Sequence, residues 1–140
     1  MIDYDKFEKS LKHLQMQFNN YKTLDEREDL GVLDREAVVE SVIQRFEVTY
    51  DSLWKVLKRY LTEEMGIPDM PNSPKVIFQI AFENKLFNAD IAVWNDYVRK
   101  RIDTTHDYSE NKVFKALELM DDFIEDAIDL YITMTGKTFE

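Results

Sequence analysis

The residues best equipped for chemistry fall within one stretch, Arg101-Ile102-Asp103-Thr104-Thr105-His106-Asp107-Tyr108. It holds an arginine, one of only two histidines and a tyrosine, close to where a helical pattern runs out. A guanidinium binds phosphate, an imidazole moves protons near neutral pH, and a phenol can accept a group or hydrogen-bond a base. Around a phosphodiester these have defined uses. Arg101 would hold the scissile phosphate and stabilise charge that grows in the transition state. His106 would act as general acid or base on the attacking hydroxyl or the leaving oxygen, with no metal required. Structural alternatives stand beside these. Arg99-Lys100-Arg101 is the densest positive cluster of the chain and would complement the C-terminal dipole of a helix; His106 would hydrogen-bond a carbonyl at a helix end.

Spacing sharpens the choice. Positions 101 and 106 are five apart, which on a continuous helix at about 100° per residue leaves them about 140° apart. Positions 101 and 108 would share a face. For Arg101 and His106 to serve one site, the helix must unwind near Thr104-Thr105, or the site must form between two chains. Two consecutive threonines suit such an end.

The elements that must position this stretch are helical. Only three Gly and three Pro interrupt 140 residues that are 44% hydrophobic, which predicts an all-α, five-helix up-and-down bundle in one domain over residues 1–140. Tyr4, Phe7, Leu11, Leu14, Phe18 and Tyr21 form a seam spaced three and four apart in the first helix. Asp34 is the expected N-cap of a long central helix that stops at Gly66 and Pro68. Its broad stripe, from Val39 and Ile43 through Phe46, Tyr50, Leu53, Trp54 and Leu57 to Leu61, should meet neighbours on more than one side. Ser73-Pro74 starts a short third helix to about Leu86. A fourth runs from about Ile91 to Asp103 and delivers Arg101. Ser109 caps one last helix, with Phe114, Leu117, Met120, Ile124, Ile128 and Tyr131 as its buried stripe and Gly136 as its end.

Other chemistry finds little support. Asp103 and His106 have helical metal-ligand spacing, but a bundle di-iron site needs a second such pair, and Ser10 stands where His13 would need its acid. No phosphate-cradling glycine loop or nucleophile elbow occurs, and the lack of Cys removes thiolate chemistry. Neither a metal nor a cofactor is expected. The net charge of −10 opposes an extended nucleic-acid footprint without forbidding a local basic pocket. The run Asp121-Asp122 with Glu125, Asp126 and Asp129 reads as the solvated face of the last helix, and Trp54 as a core anchor. The opening MIDYDKFEKS is too charged for a signal peptide, and no stretch approaches the ~20 apolar residues of a membrane span. The expectation is a soluble cytoplasmic protein with no membrane partner.

Four segments, in order and register, carry a resemblance. They are Gln44-Arg45-Phe46-Glu47-Val48-Thr49-Tyr50-Asp51-Ser52-Leu53-Trp54-Lys55 with Leu57-Lys58, then Ser73-Pro74, then Ala81-Phe82-Glu83, then Arg101 to Tyr108. With five helices, the Arg-x4-His-x-Tyr arrangement resembles the HEPN superfamily. More closely, the chain resembles the nucleotidyltransferase substrate-binding proteins, relatives of HepT-type toxins that partner a separately encoded minimal nucleotidyltransferase.

The resemblance implies a homodimer in which the Arg/His segments of two chains face a shared cleft. In the substrate-binding branch that cleft presents a nucleotide or RNA substrate to the partner enzyme. In the toxin branch Arg101 and His106 are the ribonuclease pair, and Tyr108 is the hydroxyl that the partner adenylylates to silence it. The residue after the arginine is usually polar in that family, often Asn, and here it is Ile102, which cannot orient a phosphate or an imidazole by hydrogen bonding. That departure and the acidic charge favour an accessory subunit of a two-component nucleotidyltransferase or toxin–antitoxin system over a metal-independent ribonuclease.

Overall fold

The computed structural model describes residues 1–106 and 109–140, with the backbone alone at His106. Among these residues every regular element is helical: α1 Asp5–Lys22, a 3-10 turn Leu24–Glu26, α2 Val32–Glu63, α3 Pro74–Glu83, α4 Ile91–His106, α5 Glu110–Glu118 and α6 Met120–Thr135. No helix among them is long and apolar enough to cross a membrane.

In α1 the seam buries Phe7, Leu11, Leu14 and Phe18, with Tyr4 and Tyr21 partly covered. The 32 residues of α2 reach about 48 Å at ~1.5 Å each and form the spine of the bundle. This helix begins two residues before Asp34. Gly31 is its N-cap, and Asp34 accepts the Gly31 N–H at 3.2 Å from inside the first turn. Gly66 lies in the left-handed region at φ 69°, and beyond it the Ile67 N–H reaches back to the Leu61 carbonyl at 3.0 Å. Ser73 caps α3 by accepting from the Val76 N–H at 3.4 Å, with Pro74 in the first turn.

The expected single last helix is two, so the described residues form six α-helices rather than five. The break falls at Leu119, whose N–H bonds to Ala116 at 3.2 Å, a one-turn tightening that needs neither Gly nor Pro. The stripe survives through Leu117, Met120, Ile124 and Tyr131, but Phe114 is left 58% exposed.

One core unites the elements, and its centre is aromatic. Phe46 of α2 meets Phe123 of α6 edge-on at 4.9 Å, Phe123 meets Tyr97 of α4 at 5.2 Å, Tyr97 meets Trp94 at 5.2 Å, and Trp94 meets Phe78 of α3 at 5.0 Å. Rings packed this way contribute about 0.5–1.5 kcal/mol per pair beyond their buried area. Trp94 and Tyr97 fasten α4 to the bundle. Arg101 and Thr104 follow at three- and four-residue steps on the same face, so the packing of those two rings aims Arg101 at α2.

Candidate functional site

On α2, Glu47 and Asp51 are four residues apart and present their carboxylates side by side to α4. Arg101 docks onto both. Its Nε and Nη2 donate to the two oxygens of Asp51 at 3.3 and 3.1 Å, and its Nη1 donates to Glu47 Oε2 at 3.0 Å and to the Thr105 hydroxyl. Four of its five N–H donors are thereby used within the chain. Burial disfavours its charge, but the bond to Asp51 and the fields of Asp51 and Glu47 outweigh that and hold its pKa above the ordinary arginine value. Two carboxylates around one guanidinium leave the cluster net negative. An anionic phosphate would have to displace Asp51 or Glu47 to be gripped by two donors.

Thr104 and Thr105 do not unwind α4. The Thr105 hydroxyl donates to the Arg101 carbonyl at 2.9 Å. The buried Thr104 hydroxyl stands 3.2 Å from both that carbonyl and Glu47 Oε2, with one proton to serve them. Threonine hydroxyls that bond back to the preceding turn stay inside a helix, and here Glu47 gives them a further partner. The helix runs through position 106, about 140° round from 101. Positions 101 and 106 are therefore not brought to one face within this chain. The His106 side chain and all of Tyr108 lie outside the described residues. Ile102 faces water at 53% exposure, and Asp103 reaches Lys112 of α5 at 3.7 Å.

Four participants were not foreseen as site residues: Glu47, Asp51, Thr104 and Thr105. A pair of acids at i, i+4 on the central helix was the available signal, but nothing local shows that α4 lies across it. A second polar contact corrects the reading of the acidic run. Asp121, Asp122 and Glu125 are exposed as expected, whereas Asp126 turns inward and accepts the hydroxyl proton of buried Tyr97. Burial, with Asp129, Asp122 and Glu125 nearby, raises the Asp126 carboxyl above its usual range although the Tyr97 bond opposes this. Burial likewise pushes the Tyr97 phenol up. Trp54 is half-buried against the core, with the Lys55 amine 5.7 Å from its ring. Among the described residues no three His, Asp or Glu side chains gather as a metal set.

Two solved structures share this architecture. Protein HI0074 of Haemophilus influenzae, described as revealing the fold of a substrate binding domain of a nucleotidyltransferase, superposes with a TM-score of 0.83 at 19% identity, over 94% of this chain and 98% of its own. A protein of Thermus thermophilus superposes at 0.66 with 24% identity, over 87% of this chain and 98% of its own. At these identities the likeness establishes the fold. No curated protein sequence matches the chain. The model of the family described as nucleotidyltransferase substrate binding protein like matches residues 2–135, well beyond the segments between Gln44 and Tyr108 that carry the resemblance. The chain belongs to the nucleotidyltransferase substrate-binding protein family.

Proposed function

We propose that this chain, one domain over residues 1–140, is the helical accessory subunit of a two-component nucleotidyltransferase system in the cytoplasm. It acts as a homodimer that binds a separately encoded minimal nucleotidyltransferase and offers it a nucleotide or RNA substrate. Family membership supports the partner. The observation that carries the non-catalytic reading is the capture of Arg101 by Glu47 and Asp51. A guanidinium with four donors engaged and two carboxylates around it is a structural tie between α4 and α2, poorly placed to stabilise a phosphorane. Exposed, apolar Ile102 adds no donor beside it. The test is co-expression with a cognate minimal nucleotidyltransferase, followed by gel filtration. A shared peak of defined stoichiometry is expected; separate elution at micromolar concentration would sink the reading.

One geometric fact favours the alternative, a metal-independent HEPN ribonuclease using Arg101 and His106 and silenced at Tyr108. Because α4 is continuous, a joint site for positions 101 and 106 requires two chains, and a dimer cleft of that kind is what the resemblance implies. In that reading RNA is cleaved in chelator, and His106→Ala abolishes the cleavage.

A further inference from the structure

Phe114, expected in the core, is instead left at the mouth of a groove between α5 and the N-terminal half of α2. The groove encloses about 610 Å³. Val39 and Val113 are half-buried along it, and Val32, 72% exposed, closes its end. Leu33, beside Val32 in the first turn of α2, is 79% exposed. Phe114 and Val32, two large apolar side chains left open on one groove, exceed the scattered single exposure of an ordinary surface and mark a site that something covers.

Charge says what kind of occupant fits. Glu36, Glu40 and Glu110 line the groove and are exposed. Its one guanidinium, Arg35, is turned to its own chain, donating to the Arg27 carbonyl at 2.6 Å and standing 3.8 Å from Asp25. The surface is therefore apolar at its floor and acidic at its rim. A second copy is a poor occupant, because a two-fold contact lays a patch against itself and would bring the three glutamates of each copy together. A basic amphipathic segment satisfies both features, with apolar residues against Phe114 and Val32 and Lys or Arg against the glutamates.

Position links the groove to the site above. Glu36, Glu40 and Glu47 fall on one stripe of α2, and Glu40 precedes Glu47 by two turns, about 10 Å. The α5 wall begins two residues after Tyr108 in the sequence.

We propose that this groove is where the nucleotidyltransferase partner docks, through an amphipathic segment rich in Lys or Arg. The inference rests on the accessory-subunit reading and adds the surface to it. Titration calorimetry of the purified chain with the purified nucleotidyltransferase tests it, using Phe114→Glu and, separately, Glu36→Lys with Glu40→Lys. All these positions are exposed, and circular dichroism checks that each variant is folded. Each variant should weaken the complex at least about tenfold, as loss of an anchor does. A charge reversal on α6, Glu125→Lys, should leave affinity unchanged. A wild-type complex that both groove variants retain overturns the docking site and leaves the functional reading standing. Absence of any wild-type complex overturns both. Self-association of the wild type that Phe114→Glu abolishes would make the occupant a second copy and overturn the inference.

Discussion

Replacing Arg101 with alanine should cost the fold about 2–3 kcal/mol. The bounds come from two regimes: exposed ion pairs contribute about 0–1 kcal/mol, whereas removing one partner of a buried pair costs about 3–5. The side chains here are 23% exposed for Arg101, 16% for Glu47 and 40% for Asp51, so the cluster stands between those regimes and nearer the buried one on the Glu47 side. The substitution removes four hydrogen bonds and the cation that separates two carboxylates. In a chain of this size each kcal/mol moves Tm by about 4 °C, so Tm should fall by roughly 8–12 °C. Urea unfolding followed by far-ultraviolet circular dichroism gives the free energy directly, with an unchanged m-value showing that the folded state is otherwise intact. Arg101→Lys should recover less than half of the loss, because an ammonium cannot span Asp51 and Glu47 together. In a double-mutant cycle with Glu47→Ala the two losses should fall short of additivity by about 1–2 kcal/mol. Arg101→Ala within about 0.5 kcal/mol of wild type, or strict additivity with Glu47→Ala, would refute the argument that this guanidinium is a structural tie.

Two further outcomes follow from particular residues. Asp126 has a folded pKa above its unfolded value, so its contribution is fully present below the unfolded carboxylate pKa, about 3.9, and is lost as pH rises through the folded one. Asp126→Asn, which still accepts from Tyr97 but does not titrate, should therefore gain stability relative to wild type as pH rises from about 4 through the folded pKa of Asp126; a flat or falling difference in urea midpoints would contradict this. Lys85, at φ 61°, follows the end of α3 in the left-handed region that favours glycine, and Lys85→Gly should raise stability by about 0.5–1 kcal/mol, whereas a loss in thermal melts would show that its side chain compensates.

What the sequence disclosed depended on how local each determinant was. The α1 seam, the Gly66 stop and the Ser73-Pro74 start are written within a few residues of where they act, and each stands as expected. Asp34 was recognised as a capping residue but placed three positions early in the helix pattern, since an acid at N3 and an acid at the N-cap leave the same mark. The break at Leu119 left no mark, because a single tightened turn preserves three-four spacing and uses no special residue. Trp94, Tyr97 and Phe78, the rings that seat α4, escaped notice because their importance lies in meeting one another across three helices. The same reason hid the fate of Arg101. Its chemistry was evident from its type, but the acids that occupy it sit 50 and 54 residues away on α2. The exposed state of Phe114 was equally invisible, since a stripe facing the core and a stripe facing a partner have one periodicity.

RNA cleavage separates an accessory subunit from a nuclease built on the Arg101 stretch. Purified protein with Tyr108 shown unmodified by intact mass is incubated with a mixed tRNA pool in chelator, beside His106→Ala. The two should be indistinguishable and leave the pool intact. Cleavage by the wild type that the His106→Ala protein has lost, while still folded, would contradict the accessory-subunit reading.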